Sequence, residues 1–169
     1  MIIIKYIGIF LVFTVTFLIG YFWSKRYTER VGELKELQTA LQLLETKIKF
    51  TYEPLPEIFS QMGETLQGRL GMLFRKIGIH LQQHTVEESV KIALSETQLN
   101  LKEEDIQIIK NLGRVLGKTD KEGQVSQIEL SLTFLASQLK KAEEEEIKNA
   151  KLYKTLGATI GMAFAIILI

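Results

Sequence analysis

The sequence predicts an all-α protein, a helical bundle of about six helices between N-terminal and C-terminal transmembrane helices. Three observations carry this. Two charge-free runs, Tyr6–Trp23 with 14 hydrophobic residues of 18 and Thr155–Ile169 with 11 of 15, lie near the two ends of the chain. The 131 residues between them hold 40 of the 41 charged residues, so an average-looking composition is the mean of three different ones. Within that middle stretch apolar residues recur at spacings of three and four, and no β-type alternation is sustained. The domain reading is therefore an anchor over 1–23, a cytoplasmic helical bundle over 24–154 and a second anchor over 155–169.

Composition excludes several classes of function. The chain has no cysteine, which removes disulfide scaffolds, thiolate metal sites and cysteine nucleophiles. Its 21 Lys+Arg stand against 20 Asp+Glu, a balance that argues against a nucleic-acid partner. Only two prolines and well-scattered apolar residues argue against disorder.

Taken in order, Tyr6–Trp23 makes a helix of about 27 Å, close to the ~30 Å hydrocarbon thickness of a bilayer. Tyr21, Phe22, Trp23 and Tyr27 suit the headgroup boundary at its inner end. A cleaved signal peptide is the competing reading. No small-x-small cleavage site precedes Ser24, and the run is long for a signal sequence, which favours a retained anchor. Lys25, Arg26, Arg30 and Lys35 follow this segment and Lys148, Lys151 and Lys154 precede the last one, so the positive-inside rule places the middle in the cytoplasm.

Val31, Leu34, Leu37, Leu41, Leu44 and Ile48 form one stripe of a long first helix. Glu53-Pro54-Leu55-Pro56 ends it and opens a second helix bearing Leu55, Ile58, Phe59, Met62 and Leu66, which Gly68 closes. A third carries Leu70, Leu73, Phe74, Ile77 and Leu81. Thr85-Val86-Glu87-Glu88 is a capping box that starts a fourth, with Val90, Ala93 and Leu94. Asn100 and Glu103 have the same spacing and predict the start of a fifth helix, which buries Ile106, Ile109, Leu112 and Leu116 and ends at Gly117 in the left-handed region. Thr119 or Asp120 caps the sixth, with Val125, Ile128, Leu132, Leu135, Leu139 and Ala142 on one face.

No breaker separates this sixth helix from the terminal run, so the two are expected to be continuous. Glu144 and Lys148 have the favourable i,i+4 order, and the acidic run Glu143–Glu146 reads as a solvated face. The terminal run spans about 22 Å, lengthened by snorkelling Lys151 and Lys154. Gly157, Gly161 and Ala165 form a small-residue row there, which either pairs helices or is neutral. The stripes of the first and last bundle helices could also pair between copies as a coiled coil. The bundle is favoured because the short middle helices need partners for their own apolar faces.

The sequence carries few residues arranged for chemistry. His80 and His84 have a metal-ligand spacing, but Leu81 stands where a zinc protease needs glutamate and no third His or Cys exists, so a solvated pair is expected. Gly63, Gly68, Gly71 and Gly78 show no phosphate-loop pattern, and the serines lack a G-x-S-x-G context. Acidic residues at 87–88 and 103–105 sit in first turns, where the helix dipole accounts for them. No catalytic residue, metal or cofactor is assigned.

This pattern of residues resembles the stage III sporulation protein AB family of endospore-forming bacteria. Matching positions include Lys5, Gly8, Arg30, Leu34, Leu37, Ala40-Leu41, Leu44-Glu45, Ile48, Tyr52, Pro54-Leu55 and Glu57. The most distinctive stretch is Leu112-Gly113-x-x-Leu116-Gly117-x-x-Asp120-x-x-x-Gln124, followed by the second anchor. The resemblance implies a bundle similar to the cytoplasmic domain of type II secretion platform protein F. It further implies a non-enzymatic platform in the mother-cell membrane around the forespore. Its implied partners are a secretion-type ATPase (stage III sporulation protein AA), other channel proteins of the same operon, membrane lipid and further copies of itself. The alternative is a membrane-anchored coiled-coil scaffold unrelated to secretion. For Leu112, Gly113, Leu116, Gly117, Asp120 and Gln124 two roles are open: a corner fixing the angle between two helices, favoured because capping explains the residue types, or a surface facing the ATPase.

Overall fold

The computed structural model describes residues 2–168; the side chains of 2–7, 9, 12, 13, 150, 154, 157, 158, 161 and 164–168 lie outside the described residues. Among the described residues the chain is helical and holds no strand. The elements are α1 (Ile2–Phe50), α2 (Leu55–Thr65), α3 (Gly68–His80), α4 (Val86–Ser95), α5 (Glu103–Val115) and α6 (Lys121–Glu145), then a π-helical turn (Glu146–Ala150) and α7 (Lys151–Leu168). They form two compact units, one of Gly32–Lys140 and one joining Met1–Val31 to Lys141–Ile169.

In the larger unit the α1 stripe is the organising surface. Leu34, Leu37 and Leu44 are wholly buried and Leu41 and Ile48 nearly so. Each such side chain contributes about 1.5–3 kcal/mol by leaving water. Leu37, Leu41 and Leu44 line one small apolar cavity together with Phe59 of α2, Phe74 and Ile77 of α3, Val90 of α4, and Ile109 and Leu112 of α5. The stripe is thus covered by its own chain, as the bundle reading expected, and the coiled-coil alternative loses the α1 surface it needed. Ile128 and Leu135 of α6 are fully buried too, and Lys49 of α1 meets Glu129 of α6 at 3.2 Å.

Glycine sets the closest approaches. A Cβ on Gly63 would lie 2.7 Å from the Arg75 backbone, and one on Gly78 would lie 2.9 Å from Ser60 N. Positions rise along α2 as they fall along α3, so the two helices run antiparallel with their backbones nearly touching. Phe59 and Phe74 stack beside this seam, with centroids 5.9 Å apart. The α4–α5 pair is antiparallel in the same way, Gly113 lying under Val90 and Gly117 under Val86.

Several boundaries follow the sequence and three differ. The Thr85–Glu88 capping box is complete: Thr85 N donates to Glu88 Oε2 at 3.1 Å and Glu88 N to Thr85 Oγ1 at 3.3 Å. Asn100 does not cap α5. Its backbone N–H donates instead to Glu33 Oε2 of α1 at 2.7 Å, and α5 starts after Lys102, whose N–H donates to Asp105 Oδ2 at 2.9 Å. A carboxylate 67 residues away outcompetes the local cap because it offers a charge-assisted bond to a part-buried loop. Gly68 does not end α2, which closes at Leu66. It opens α3 with a φ of +63° at the reversal between the two helices.

The third difference is the π-helical turn, which interrupts the helix expected to run unbroken from α6 into the terminal segment. It begins between Glu144 and Lys148 and removes the α-helical spacing on which their expected i,i+4 pairing rested. Glu145, expected on a solvated acidic face, is instead the partner of the buried Arg30, whose Nη1 donates to its Oε2 at 2.8 Å.

Among the described residues no helix is long and apolar enough to cross a membrane. Both expected spans include residues whose side chains are outside the described set, and the proposed packing row of Gly157, Gly161 and Ala165 falls there.

Candidate functional site

The six residues of the distinctive stretch come together as one corner between α5 and α6. Leu112 and Leu116 are its apolar floor, 4% and 1% exposed. Gly113 lets α4 approach, since a Cβ there would sit 3.0 Å from Val90 Cγ2. After Val115 the chain makes a type II turn. Leu116 has φ −57° and ψ 131°, Gly117 has φ +78°, and Lys118 N donates to Val115 O at 3.0 Å. Gly117 therefore occupies the left-handed region expected of it, through a β-turn.

Polar groups close the corner on themselves. Asp120 rather than Thr119 caps α6, its Oδ1 accepting from Gly123 N at 2.9 Å. Gln124 bridges back: its Oε1 accepts from Gly117 N at 3.4 Å and its Nε2 donates to Thr119 O at 3.1 Å. The motif's hydrogen-bonding side chains are spent on the turn, so its chemistry is that of a rigid bracket.

What the corner presents to solvent comes from its neighbours. Glu87 of α4 accepts from Lys118 Nζ and Lys91 Nζ, each at 2.9 Å, with Arg114 Nε at 3.9 Å. The bond from Lys118, then that from Lys91, pulls the Glu87 carboxyl down to about 2 from an ordinary value near 4.5. Three cations share one carboxylate, leaving the patch basic. Beside it Lys121 Nζ lies 5.6 Å from the Tyr52 ring centroid, and Tyr52 and Phe50 are 101% and 78% exposed. These side chains are scattered along the sequence between Phe50 and Lys121. The available signal was two aromatics falling off the α1 stripe just before Pro54.

His80, half-buried at the end of α3, and the exposed His84 stand close together. Their ring centroids are 6.3 Å apart, and His80 Nε2 lies 3.6 Å from Glu96 Oε2. Among the described residues no three His, Cys, Asp or Glu side chains are grouped to hold a metal ion.

Comparison with known proteins gives the family of the chain. Residues 5–169 match the family model described as Stage III sporulation protein AB. A curated relative, Stage III sporulation protein AB of Bacillus subtilis (strain 168), is 29% identical over 171 residues, covering 98% of this chain and 99% of the relative. A solved structure of Stage III sporulation protein AB superposes with a TM-score of 0.67 at 27% identity, covering 71% of this chain and 98% of that one. With the family model matching residues 5–169, nearly the whole chain, the chain belongs to the stage III sporulation protein AB family.

Proposed function

We propose that the protein is a non-enzymatic platform of the channel assembly between mother cell and forespore. It is held in the mother-cell membrane around the forespore by its two terminal segments, and its bundle engages a cytoplasmic secretion-type ATPase. The single observation that carries this reading is the family match over residues 5–169, which takes in both apolar termini as well as the bundle. The anchors rest on the charge-free runs and on the lysines and arginines flanking their inner ends. The surface offered to the ATPase is the basic and aromatic patch of Lys91, Arg114, Lys118, Lys121, Phe50 and Tyr52, which the corner holds in place.

The test is capture in sporulating cells. Stage III sporulation protein AA should crosslink to the full-length chain. Tyr52→Ala combined with Lys118→Glu should lose that crosslink while the melting temperature stays within a few degrees. Crosslinks that join only copies of this chain would refute the platform reading in favour of a scaffold. Membrane extraction that releases the chain without detergent would refute the anchors.

A further inference from the structure

We infer that the π-helical turn Glu146–Ala150 is a one-residue insertion that sets the register between α1 and the arm formed by the end of α6 and α7. Among the described residues an ion pair and an aromatic cluster join these segments within the smaller unit. Arg30, only 4% exposed, donates from Nη1 to Glu145 Oε2 at 2.8 Å. One storey away the Tyr153 ring stacks on Tyr27, with centroids 5.9 Å apart and planes at 18°, and packs against Trp23 at 5.7 Å.

The spacing on the two sides is unequal. On α1, Trp23 lies seven residues before Arg30; at about 100° per residue seven residues fall some 20° short of two full turns, so both side chains share a face. On the arm, Glu145 and Tyr153 are eight residues apart. In an unbroken α-helix eight residues overshoot two turns by about 80°, which carries Tyr153 off the face that Glu145 presents to Arg30. The π turn lies wholly between them. A π turn closes its hydrogen bonds at i→i+5 and absorbs one extra residue, so eight residues advance as seven do in an α-helix. Both contacts then form together. Without the π turn the arm rotates by about 100° at Tyr153, a displacement of about 8 Å at a side-chain radius of ~5–6 Å, which breaks the ring contact.

The device is a lock. Sliding or rotating one segment by a residue must break the ion pair, the aromatic clasp or both, so movement of either is passed to the other. Ile147 is 77% exposed within the π turn, so the irregular backbone does not serve to bury it.

The inference makes an unusual demand: shortening the turn should do no harm and lengthening it should. The chain has no cysteine, so Tyr27→Cys with Tyr153→Cys in the full-length protein gives a clean site for a short bis-maleimide. Deleting the exposed Lys148 should turn the segment into regular α-helix and keep crosslinking within about twofold of the parent. Inserting one alanine after Lys148 should lower it at least tenfold. Loss of the crosslink on deletion, by unfolding or by altered register, overturns the inference. So does its survival on insertion, which would mean the arm finds its partner without a fixed register.

Discussion

Replacing Gly63 with alanine is expected to destabilise the bundle although alanine is the better helix former. The methyl would lie 2.7 Å from Arg75 Cα, Cβ and N. Two of those atoms are backbone, so relief requires α2 and α3 to move apart. That movement loosens the Phe59–Phe74 stack and the Arg75 Nη2 bond to Gly63 O at 3.2 Å. Overpacking of this kind costs about 1–3 kcal/mol. Helix propensity returns at most ~1 kcal/mol. The net loss is about 1–2 kcal/mol, which lowers Tm by roughly 5–10 °C for a domain near 100 residues. Gly32→Ala is the internal control. Gly32 is exposed on α1 with nothing within 4 Å of its missing Cβ, so propensity alone acts and Tm should rise by a few degrees. The assay is thermal unfolding of the full-length chain in detergent, followed by far-ultraviolet circular dichroism. Equal or higher stability of Gly63→Ala, or shifts of the same sign for both variants, would refute the reasoning.

Four further outcomes are expected. Gly117→Ala should cost about 1–2 kcal/mol, because φ is +78° and the methyl meets Val86 Cγ2 at 3.3 Å; Gly117→Asn should cost less in the same melting assay. Thr85→Ala should lower stability by about 1 kcal/mol in urea titration, with an unchanged m-value. Glu87 is held down to about 2 from 4.5, so its contribution is complete above pH 4.5 and is lost as pH falls toward 2. Glu87→Gln should therefore flatten the decline of Tm between pH 4.5 and 2. Arg30→Glu and Glu145→Arg should each destabilise the chain, and the double swap should recover part of the loss, with a coupling of ~1–2 kcal/mol read from the double-mutant cycle.

The helices and most of their ends were legible because their causes are local. A stripe such as Leu34, Leu37, Leu41 and Leu44 records which face is buried, whatever buries it. The Thr85 box forms between residues three apart, and Pro54 and Gly117 act through their own backbones. Asn100 had the same local signature as a cap and behaved differently, because Glu33 reached its N–H from α1. Gly63, Gly71 and Gly78 looked merely uninformative. Their meaning is steric: a Cβ on Gly71, for example, would meet the Leu66 carbonyl oxygen at 2.3 Å. Of the candidate site, the capping and turn residues could be read directly. The basic patch could not, since Lys118 meets Glu87 and Lys121 meets Tyr52 only once separate elements of the bundle are folded together.

Taken alone, the sequence determined that the chain is helical and that its middle is a charged bundle between two apolar termini; for its distinctive residues it left a helix corner and a docking surface both open. These follow from periodicity, capping and composition, which act over a few residues. The tertiary structure decided which carboxylate each cation meets, where Glu33 diverts a cap, how closely α2 and α3 approach, and why the arm carries a π turn. Those outcomes depend on distances between residues far apart in the chain, such as Arg30 and Glu145 at 115 positions, and no local pattern encodes such a distance.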